Sequence, residues 1–251
     1  MKDLNGVAAI VTGGGSGMGA VMAETLAKAG AKVAIWDMNT KSANNIDGLA
    51  VECDVTSEAS VLSALDISQK AHGIARILIN CAGILRAERI VGREAPASLE
   101  NFTEVINVNL IGTFNTMRLA ATAMSKLEPI TQSGERGVII NAASIAAFEG
   151  QIGQAAYSAS KAGIVGMILP AARELAGFGI RVMAIAPGAV ATPMIGEISQ
   201  EIQDSIAASI PFPKRMAKPE EFAELALHIV HNEMLNGEVI RLDGAARLAA
   251  K

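Results

Sequence analysis

Short apolar segments alternate with longer helical ones along almost the whole chain. The short segments are rich in Val and Ile and lie at residues 7–12, 32–36, 49–53, 76–80, 138–141, 181–186 and 238–242. Between most of them, apolar residues recur at helical spacing, as at residues 18–29, 59–71, 99–127 and 154–175. This alternation predicts right-handed βαβ units and therefore an α/β fold, a doubly wound parallel sheet of about seven strands with helices on both faces.

A single domain is the simplest expectation for the whole length. The 251 residues are 51% hydrophobic, and no Pro/Gly/Ser-rich linker or shift in charge divides residues 1–251. Residues 84–98 lack a clear period, and residues 187–219 hold five of the eight prolines. Because long irregular segments in compact domains are often functional, we expect two substrate loops at the carboxyl ends of strands.

Composition argues against several classes of protein. With 21 Lys and Arg against 25 Asp and Glu, the net charge of −4 disfavours nucleic-acid binding. No apolar run reaches the roughly 20 residues that a membrane span needs. Cys53 and Cys81 are too few for a disulfide framework, and His72, His228 and His231 lack ligand spacing, so no metal is expected. The first residues show no leader pattern, and the expected location is cytoplasmic.

A glycine-rich run connects the first apolar segment to the first helical one. It reads Thr12-Gly13-Gly14-Gly15-Ser16-Gly17-Met18-Gly19 and is followed by Ala20. Glycines let backbone N–H groups approach a pyrophosphate, which the N-terminus of the following helix stabilises. The run fits the patterns Gly15-x-Gly17-x-x-Ala20 and Gly13-x-x-x-Gly17-x-Gly19. An ordinary tight turn is the alternative, but the place between strand and helix favours a dinucleotide site.

Acidic residues follow the second and third predicted strands. A carboxylate at Asp37 can accept hydrogen bonds from both adenosine ribose hydroxyls and repels a 2′-phosphate, and its neighbours supply no cation, so NAD is favoured over NADP. Asp54 is expected to accept from the adenine amino group, with the Val55 amide against the ring. A capped turn is the alternative at Asp37, and a turn before a helix at residues 57–60 is the alternative at Asp54.

The chemistry is expected to come from Ser144, Tyr157 and Lys161. Tyr157, the only tyrosine, and Lys161 stand four residues apart in a predicted helix and share one face. A free phenol has a pKa of about 10, which a neighbouring ammonium and a positive nicotinamide ring would lower. Tyr157 would take the proton of a substrate alcohol while hydride leaves, and Ser144 would hydrogen-bond the substrate oxygen. An exposed helix pair is the alternative interpretation of Tyr157 and Lys161.

Together these motifs resemble the short-chain dehydrogenase/reductase family over the whole chain. The matching residues are Thr12 to Gly19, Asp37, Asn80-Cys81-Ala82-Gly83, Asn109, Ser144, Tyr157, Lys161 and Pro187-Gly188. The resemblance implies a Rossmann-type fold in which Tyr157 is the general acid/base, Lys161 lowers its pKa and binds the nicotinamide ribose, and Ser144 orients the substrate. It also implies that Asn109 supports a proton relay through water. Cys81 stands where the family usually has Asn, a change that leaves the backbone role intact.

Within that family, a closer likeness is to the type II 3-hydroxyacyl-CoA dehydrogenases, based on residues 136–141, 147–157 and 235–244 and on the long 84–98 loop. The expected cofactor site is Gly13, Ser16, Gly17, Met18, Gly19, Asp37, Asp54, Val55, Asn80, Cys81, Ala82, Gly83, Tyr157, Lys161, Pro187, Gly188, Val190 and Thr192. The family usually has a bulkier residue at the position of Val190, which implies a wider pocket. Gln151 and Gln154 are expected to join Ser144 and Tyr157 in the substrate site.

The resulting prediction is an NAD-dependent oxidoreductase of fatty acid metabolism that interconverts a 3-hydroxyacyl-CoA and a 3-oxoacyl-CoA. The thioester would enter between residues 84–98 and 187–219, beneath an amphipathic lid helix formed by isoleucines at 198, 202, 206 and 210. Arg86, Arg89 and Arg93 could meet the CoA phosphates, although a solvated charged loop explains them as well.

Three alternatives stay open. Two are enzymes, a secondary-alcohol or hydroxysteroid dehydrogenase and an NADPH-using 3-oxoacyl carrier-protein reductase, of which Asp37 disfavours the second. The third is a nucleotide-sensing scaffold without turnover, which the complete catalytic set disfavours. The resemblance also implies a homotetramer, and the small residues Ala159, Ala162, Gly163 and Gly166 would permit close helix packing.

Overall fold

A computed structural model of the chain describes residues 1–43, 45–192 and 199–250. Seven strands form one parallel sheet in the order β3-β2-β1-β4-β5-β6-β7. They are β1 (Ala8–Thr12), β2 (Lys32–Asp37), β3 (Leu49–Glu52), β4 (Ile77–Asn80), β5 (Gly137–Ala142), β6 (Ile180–Pro187) and β7 (Val239–Leu242). The predicted doubly wound sheet is therefore confirmed.

Helices cover both faces of the sheet. They are α1 (Gly17–Lys28), α2 (Glu58–His72), α3 (Leu99–Ile106), α4 (Gly112–Met124), α5 (Ala155–Ala176), α6 (Gln200–Ser209) and α7 (Pro219–His231), with 3₁₀ turns at Thr40–Ala43 and Ile145–Ala147. Residues of α1 and α7 share one core cluster, and residues of α2, α4 and α5 share the other. Across the described ranges, no helix has the length and apolar character needed to cross a bilayer.

Both faces of each central strand are buried, which explains their uninterrupted apolar sequences. Side chains alternate along a strand, so Ile35 of β2 faces the α1–α7 side while Trp36 faces the α2–α4–α5 side. The Trp36 indole is fully buried, and its Nε1 donates a hydrogen bond to Ser68 Oγ at 2.9 Å. This bond satisfies the polar atom that burial would otherwise leave without a partner.

The strand order reverses beside β1, and this places the candidate site. The chain proceeds from β1 outward to β3, then returns to β4 on the other side of β1, so Thr12 and Asn80 end side by side. Ligands of open α/β sheets bind at such a switch point, at the carboxyl ends of the strands. The irregular segments 84–98 and 187–219 follow β4 and β6, so both begin at this edge, as predicted.

The long helix predicted for residues 99–127 is interrupted. A π-helical turn, Asn107–Ile111, joins α3 to α4, and α4 ends at Met124. The Gly112 N–H donates to the Asn107 carbonyl, five residues back rather than four. One such turn takes in one extra residue and displaces the apolar pattern by one position, a change that hydrophobic spacing of three or four residues does not distinguish. Turns of this kind often mark functional sites.

The predicted lid helix forms as α6, but its role as a lid stays a prediction. Position 198 lies outside the described residues. Ile202 is half exposed, and none of the residues of α6 is buried. Ile210, just after the helix, is buried at 5% exposure. The segment is therefore anchored at its carboxyl end.

Candidate active site

The glycine-rich run forms a tight turn between β1 and α1. Gly13 has a φ of +62°, and a Cβ at this position would lie 2.8 Å from the backbone of Ala82, so only glycine fits between the two strand ends. Ser16 precedes α1 without a side-chain cap, which leaves the first N–H groups of the helix to a ligand. The turn therefore has the form that a pyrophosphate site requires.

Asp37 ends β2 with both carboxylate oxygens already bonded to backbone. Oδ2 accepts from the Gly15 N–H at 2.9 Å, and Oδ1 accepts from the Asn39 N–H at 2.9 Å. The side chain thus stabilises the glycine turn as well as lining the cleft. The capped turn given above as the alternative is therefore present, and ribose recognition by Asp37 stays a prediction that its place at the cleft allows.

Asp54 and Val55 also line the cleft. Asp54 Oδ1 accepts from the Thr56 N–H at 2.9 Å and from Thr56 Oγ1 at 2.7 Å, which is the turn given above as the alternative. The Val55 carbonyl accepts from Asn115 Nδ2 at 2.9 Å, so α4 fixes this part of the wall. The turn leaves Asp54 at the cleft, and the two interpretations are compatible.

Asn80 lies beneath the cleft rather than on its wall, unlike its neighbours Cys81, Ala82 and Gly83. It is 3% exposed, its Nδ2 donates to Asn141 Oδ1 at 2.8 Å, and its Oδ1 accepts from Thr116 Oγ1 at 2.8 Å. Asn80 therefore braces β4 against β5 and α4. The polar atoms of this side chain are bonded within the protein, and the expected place of Asn80 in the cofactor site stays a prediction.

Ser144, Tyr157 and Lys161 meet at the cleft, as their spacing predicted. Burial raises the pKa of Tyr157, and a hydrogen bond with Ser144 acts in the opposite direction. Lys161 Nζ donates to the Ala142 carbonyl at 2.7 Å and lies 5.7 Å from the centroid of the Tyr157 ring. Burial lowers the pKa of Lys161 to about 8. The interpretation of Tyr157 and Lys161 as an exposed surface pair is therefore wrong.

Asn109 occupies the π-helical turn and is fully buried. Its Oδ1 accepts from the Ile84 N–H at 2.8 Å, while its Nδ2 donates to the Ile84 carbonyl at 2.9 Å and to Ser160 Oγ at 3.0 Å. Ser160 Oγ in turn donates to the Tyr157 carbonyl at 2.7 Å. The side chain thus joins the start of the 84–98 segment to the helix of Tyr157 and Lys161.

These side chains surround a cleft of about 460 Å³. All the residues predicted to hold the cofactor line it except Asn80. Sequence reasoning missed part of the lining, namely Trp36, Met38, Cys53, Ile84, Leu85, Val108, Ala142, Ala143 and Ala189. These residues could have been found from their positions in the sequence, since most of them are next to a residue that was predicted to line the site. The cleft is continuous from the glycine turn to Tyr157, so one extended ligand fits it.

Some expected contributors lie elsewhere. Gln151 and Gln154 do not line this cleft; the Gln151 N–H donates to Gln154 Oε1 at 3.1 Å. Arg86 forms an ion pair with Glu104 at 3.2 Å. The Nε2 atom of His72 is buried without a hydrogen-bond partner, although the residue as a whole is only partly buried. In the parts of the chain with described coordinates, no three His, Cys, Asp or Glu side chains cluster as metal ligands, and Cys53 is not disulfide-bonded.

Comparison with known proteins supports one family for this arrangement. The family profile described as short chain dehydrogenase matches residues 7–203.

The chain belongs to the short-chain dehydrogenase family.

Among its relatives, "3-hydroxyacyl-CoA dehydrogenase type-2" from Bos taurus is 48% identical over 98% of this chain and 97% of the relative. The protein of the same name from Homo sapiens is 47% identical, with 98% and 97% covered. A solved structure described as 3-hydroxyacyl-CoA dehydrogenase type-2 from Mycobacterium avium has a TM-score of 0.93 at 40% identity and covers 100% of both chains. This short-chain dehydrogenase is therefore an oxidoreductase that uses a nicotinamide cofactor.

Ser160→Ala should lower turnover by roughly 5- to 10-fold, because Asn109 Nδ2 loses one of its two acceptors and small displacements in a reacting site slow catalysis. The measurement is the pH profile of kcat, which should change shape, with Ser160→Thr restoring it. Ser158→Ala is the matched control, since the buried Ser158 Oγ on the same helix has no hydrogen-bond partner. Equal kcat values for both alanine variants would contradict this positioning of Asn109.

Proposed function

We propose that the chain interconverts a 3-hydroxyacyl-CoA and a 3-oxoacyl-CoA with NAD as the cofactor. The observation that carries this proposal is the similarity, 48% identity over 98% of the chain, to a relative named for that reaction. The cleft supports it, because Ser144, Tyr157 and Lys161 converge on its wall.

The proposed mechanism is a hydride transfer coupled to a proton transfer. A nicotinamide cofactor in the cleft supplies the hydride acceptor or donor. Tyr157 takes the proton from the carbinol oxygen in oxidation and returns it in reduction. Ser144 donates a hydrogen bond to the same oxygen as charge develops. Lys161, held by the Ala142 carbonyl, is the cation that favours the phenolate and the donor that would hold the nicotinamide ribose.

The preference for NAD is argued from Asp37. Its carboxylate lies at the cleft beside the glycine turn and repels a 2′-phosphate, while Met38 at 73% exposure offers no positive charge there. Of the remaining proposed cofactor residues, Val190 is held by its bridge to Ala217. A relatively small side chain on this wall leaves room beside the nicotinamide.

The thioester is proposed to enter between the 84–98 and 187–219 segments, both of which begin at the strand ends around Tyr157. Arg89 and Arg93 have no ion-pair partner in the described part of the protein and are available to the CoA phosphates. Arg86 is less available because Glu104 neutralises it. Exposed Ile90 and Val91 lie between these arginines and offer apolar surface to the pantetheine arm.

The deciding experiment is a steady-state assay of acetoacetyl-CoA reduction with NADH and with NADPH. We expect turnover with NADH at a much higher kcat/KM. Activity confined to hydroxysteroids or simple secondary alcohols would overturn the substrate. A preference for NADPH would overturn the cofactor assignment and favour a carrier-protein reductase. NADH binding without turnover of any substrate would instead support a nucleotide sensor.

The kcat/KM for NADH should fall as pH rises through about 8, because the pKa of the buried Lys161 lies there and the ammonium loses its charge above it. The lower-pH side should be flat, since a lysine below its pKa stays protonated. Lys161→Arg should remove the decline, because a guanidinium stays charged. An unchanged kcat/KM up to a pH of about 10, near the ordinary lysine pKa, would contradict the assignment.

We also propose a homotetramer built on α4 and α5. Ile111, at the end of the π-helical turn, and Phe114 of α4 are about half exposed, and Leu169 of α5 is 46% exposed, so both helices offer apolar surface to a second copy. Gly163 does not contribute to that surface, because it packs against Leu110 of its own chain. Light scattering after size exclusion measures the mass, and a stable monomer would contradict this assembly.

A reducing, cytoplasmic location is proposed on the free Cys53 and Cys81 thiols.

A further inference from the structure

Arg241 of β7 is the centre of a charged network at the edge of the sheet. Its guanidinium donates to both carboxylate oxygens of Glu149, at 2.9 and 3.0 Å, and its Nε donates to Asp243 at 2.8 Å. It also lies over the Phe148 ring, 5.1 Å from the centroid. Arg247 pairs with the same two carboxylates, at 3.4 Å from Glu149 and 3.2 Å from Asp243. Two arginines therefore share two acids.

This network is more than an ordinary surface ion pair. Paired forks of this geometry are stronger and more directional than single contacts, and networks contribute where isolated exposed pairs contribute little. The side chains of Arg241 and Glu149 are only 23% and 27% exposed, and that of Asp243 is 7% exposed. The network therefore holds the backbone at Phe148 and Glu149 in a defined place.

Phe148 and Glu149 begin a segment, residues 148–154, that connects Ser144 and its 3₁₀ turn to the helix of Tyr157. Two backbone contacts fasten its far end. The Ile152 N–H donates to the Ala250 carbonyl at 3.0 Å, and the Gly153 carbonyl accepts from the Glu88 N–H at 2.8 Å. The segment thus lies between the 84–98 segment and the end of the chain, and Arg241 holds its beginning.

We infer that Arg241 and Glu149 are positioning residues for the substrate, acting by holding the 148–154 segment as a fixed wall against the 84–98 segment, which Gly153 contacts at Glu88. This inference rests on the proposed function. The catalytic side chains are anchored independently, Lys161 by the Ala142 carbonyl and Ser144 by the Ala146 N–H. Loosening the wall should therefore weaken thioester binding and leave hydride transfer and cofactor binding in place.

The test compares Glu149→Gln, Arg241→Met and the double variant with the wild type in acetoacetyl-CoA reduction. We expect the KM for the thioester to rise about 10-fold in each, with kcat and the KM for NADH within about 2-fold, the pattern of lost substrate binding. The rise in the double variant should be smaller than the two single effects combined, because the Arg241–Glu149 contact is lost in both single variants. Lys70→Met is the control: it removes a cation paired with Asp66 at 2.6 Å on α2, and neither of these residues lines the cleft.

Several results would overturn the positioning role. One such result is a rise in the KM for the thioester and the KM for NADH together. A fall in kcat alone, or a KM for the thioester equal to that of Lys70→Met, would also do so. If Arg241→Met fails to fold, Arg241→Lys decides, since it keeps the charge and loses the fork; it should give an intermediate KM. If the wild type reduces another ketone instead of acetoacetyl-CoA, the proposed function fails, and the same KM comparison with that ketone decides the role of Arg241.

Discussion

Tyr157→Phe should lower kcat by about 10³-fold in both reaction directions, because a positioned acid/base contributes about 10²–10⁴-fold and phenylalanine has no proton to exchange. The ring itself is retained, so packing beside Ser144 and Lys161 is preserved and the protein should remain folded. Stopped-flow measurement of NADH consumption under single-turnover conditions separates this step from product release.

The Kd for NADH of this variant, measured by calorimetry, is the control. It should change by less than about 3-fold, since Tyr157→Phe keeps the ring that lines the cleft and leaves Lys161, the proposed donor to the nicotinamide ribose, in place. A kcat within about 10-fold of the wild type would show that another group carries the proton, because that loss is below the range for a removed acid/base. The kcat of Ser144→Ala should lie between the kcat of the wild type and that of Tyr157→Phe, because the change removes only a hydrogen bond to the reacting oxygen.

Asp37→Ser should raise the Kd for NADH by about 10- to 100-fold, since hydrogen bonds to a charged group contribute about 1.5–3 kcal/mol each and every 1.4 kcal/mol is a factor of ten. Two effects combine, because the ribose hydroxyls lose their acceptor and the Gly15 N–H loses the partner it has at 2.9 Å. Asp37→Asn keeps one acceptor oxygen and should retain more affinity. Calorimetric titration of each variant with NADH and with NADPH measures the Kd for each cofactor.

The change should not by itself create a good NADPH site. Removing the carboxylate ends the repulsion of a 2′-phosphate but supplies no cation, so Asp37→Ser with Met38→Arg should bind NADPH more tightly than Asp37→Ser alone. Asp66→Ser, which removes an exposed acid paired with Lys70 on α2, is the matched control. NADPH binding equal to that of NADH in the wild type would refute the assignment of Asp37.

The fold could be predicted because a strand that is buried on both faces has an uninterrupted apolar sequence. The strands around Ile35 and Trp36 are continuous apolar runs, and the reversal beside β1 follows from the handedness of βαβ units. The π-helical turn at Asn107–Ile111 was not predictable in the same way, since its one extra residue is not distinguishable in a pattern that already varies between steps of three and four. The backbone there is set by tertiary contacts of Asn109.

In the candidate site, too, some residues could be predicted from the sequence and others could not. Residues whose role depends on position at a strand end, such as Asp37 and Ser144, were found because strand ends can be located in the sequence. The direction of the Asn80 side chain was not predictable, because whether a strand-end side chain points into the sheet or out of it is decided by partners such as Asn141 and Thr116. Arg241 and Glu149 are far apart in the chain, and only the tertiary fold brings them together.

The chain contains 1 tyrosine, and that residue is the buried Tyr157. The near-ultraviolet absorbance change that accompanies phenol ionisation therefore reports one atom of one residue, without the background of other phenols. A spectrophotometric titration of the wild-type protein, with no label and no substitution, can follow the protonation of this hydroxyl directly. When the titration is repeated with the oxidised cofactor bound, the shift in the titration midpoint measures the electrostatic effect of the nicotinamide ring on Tyr157.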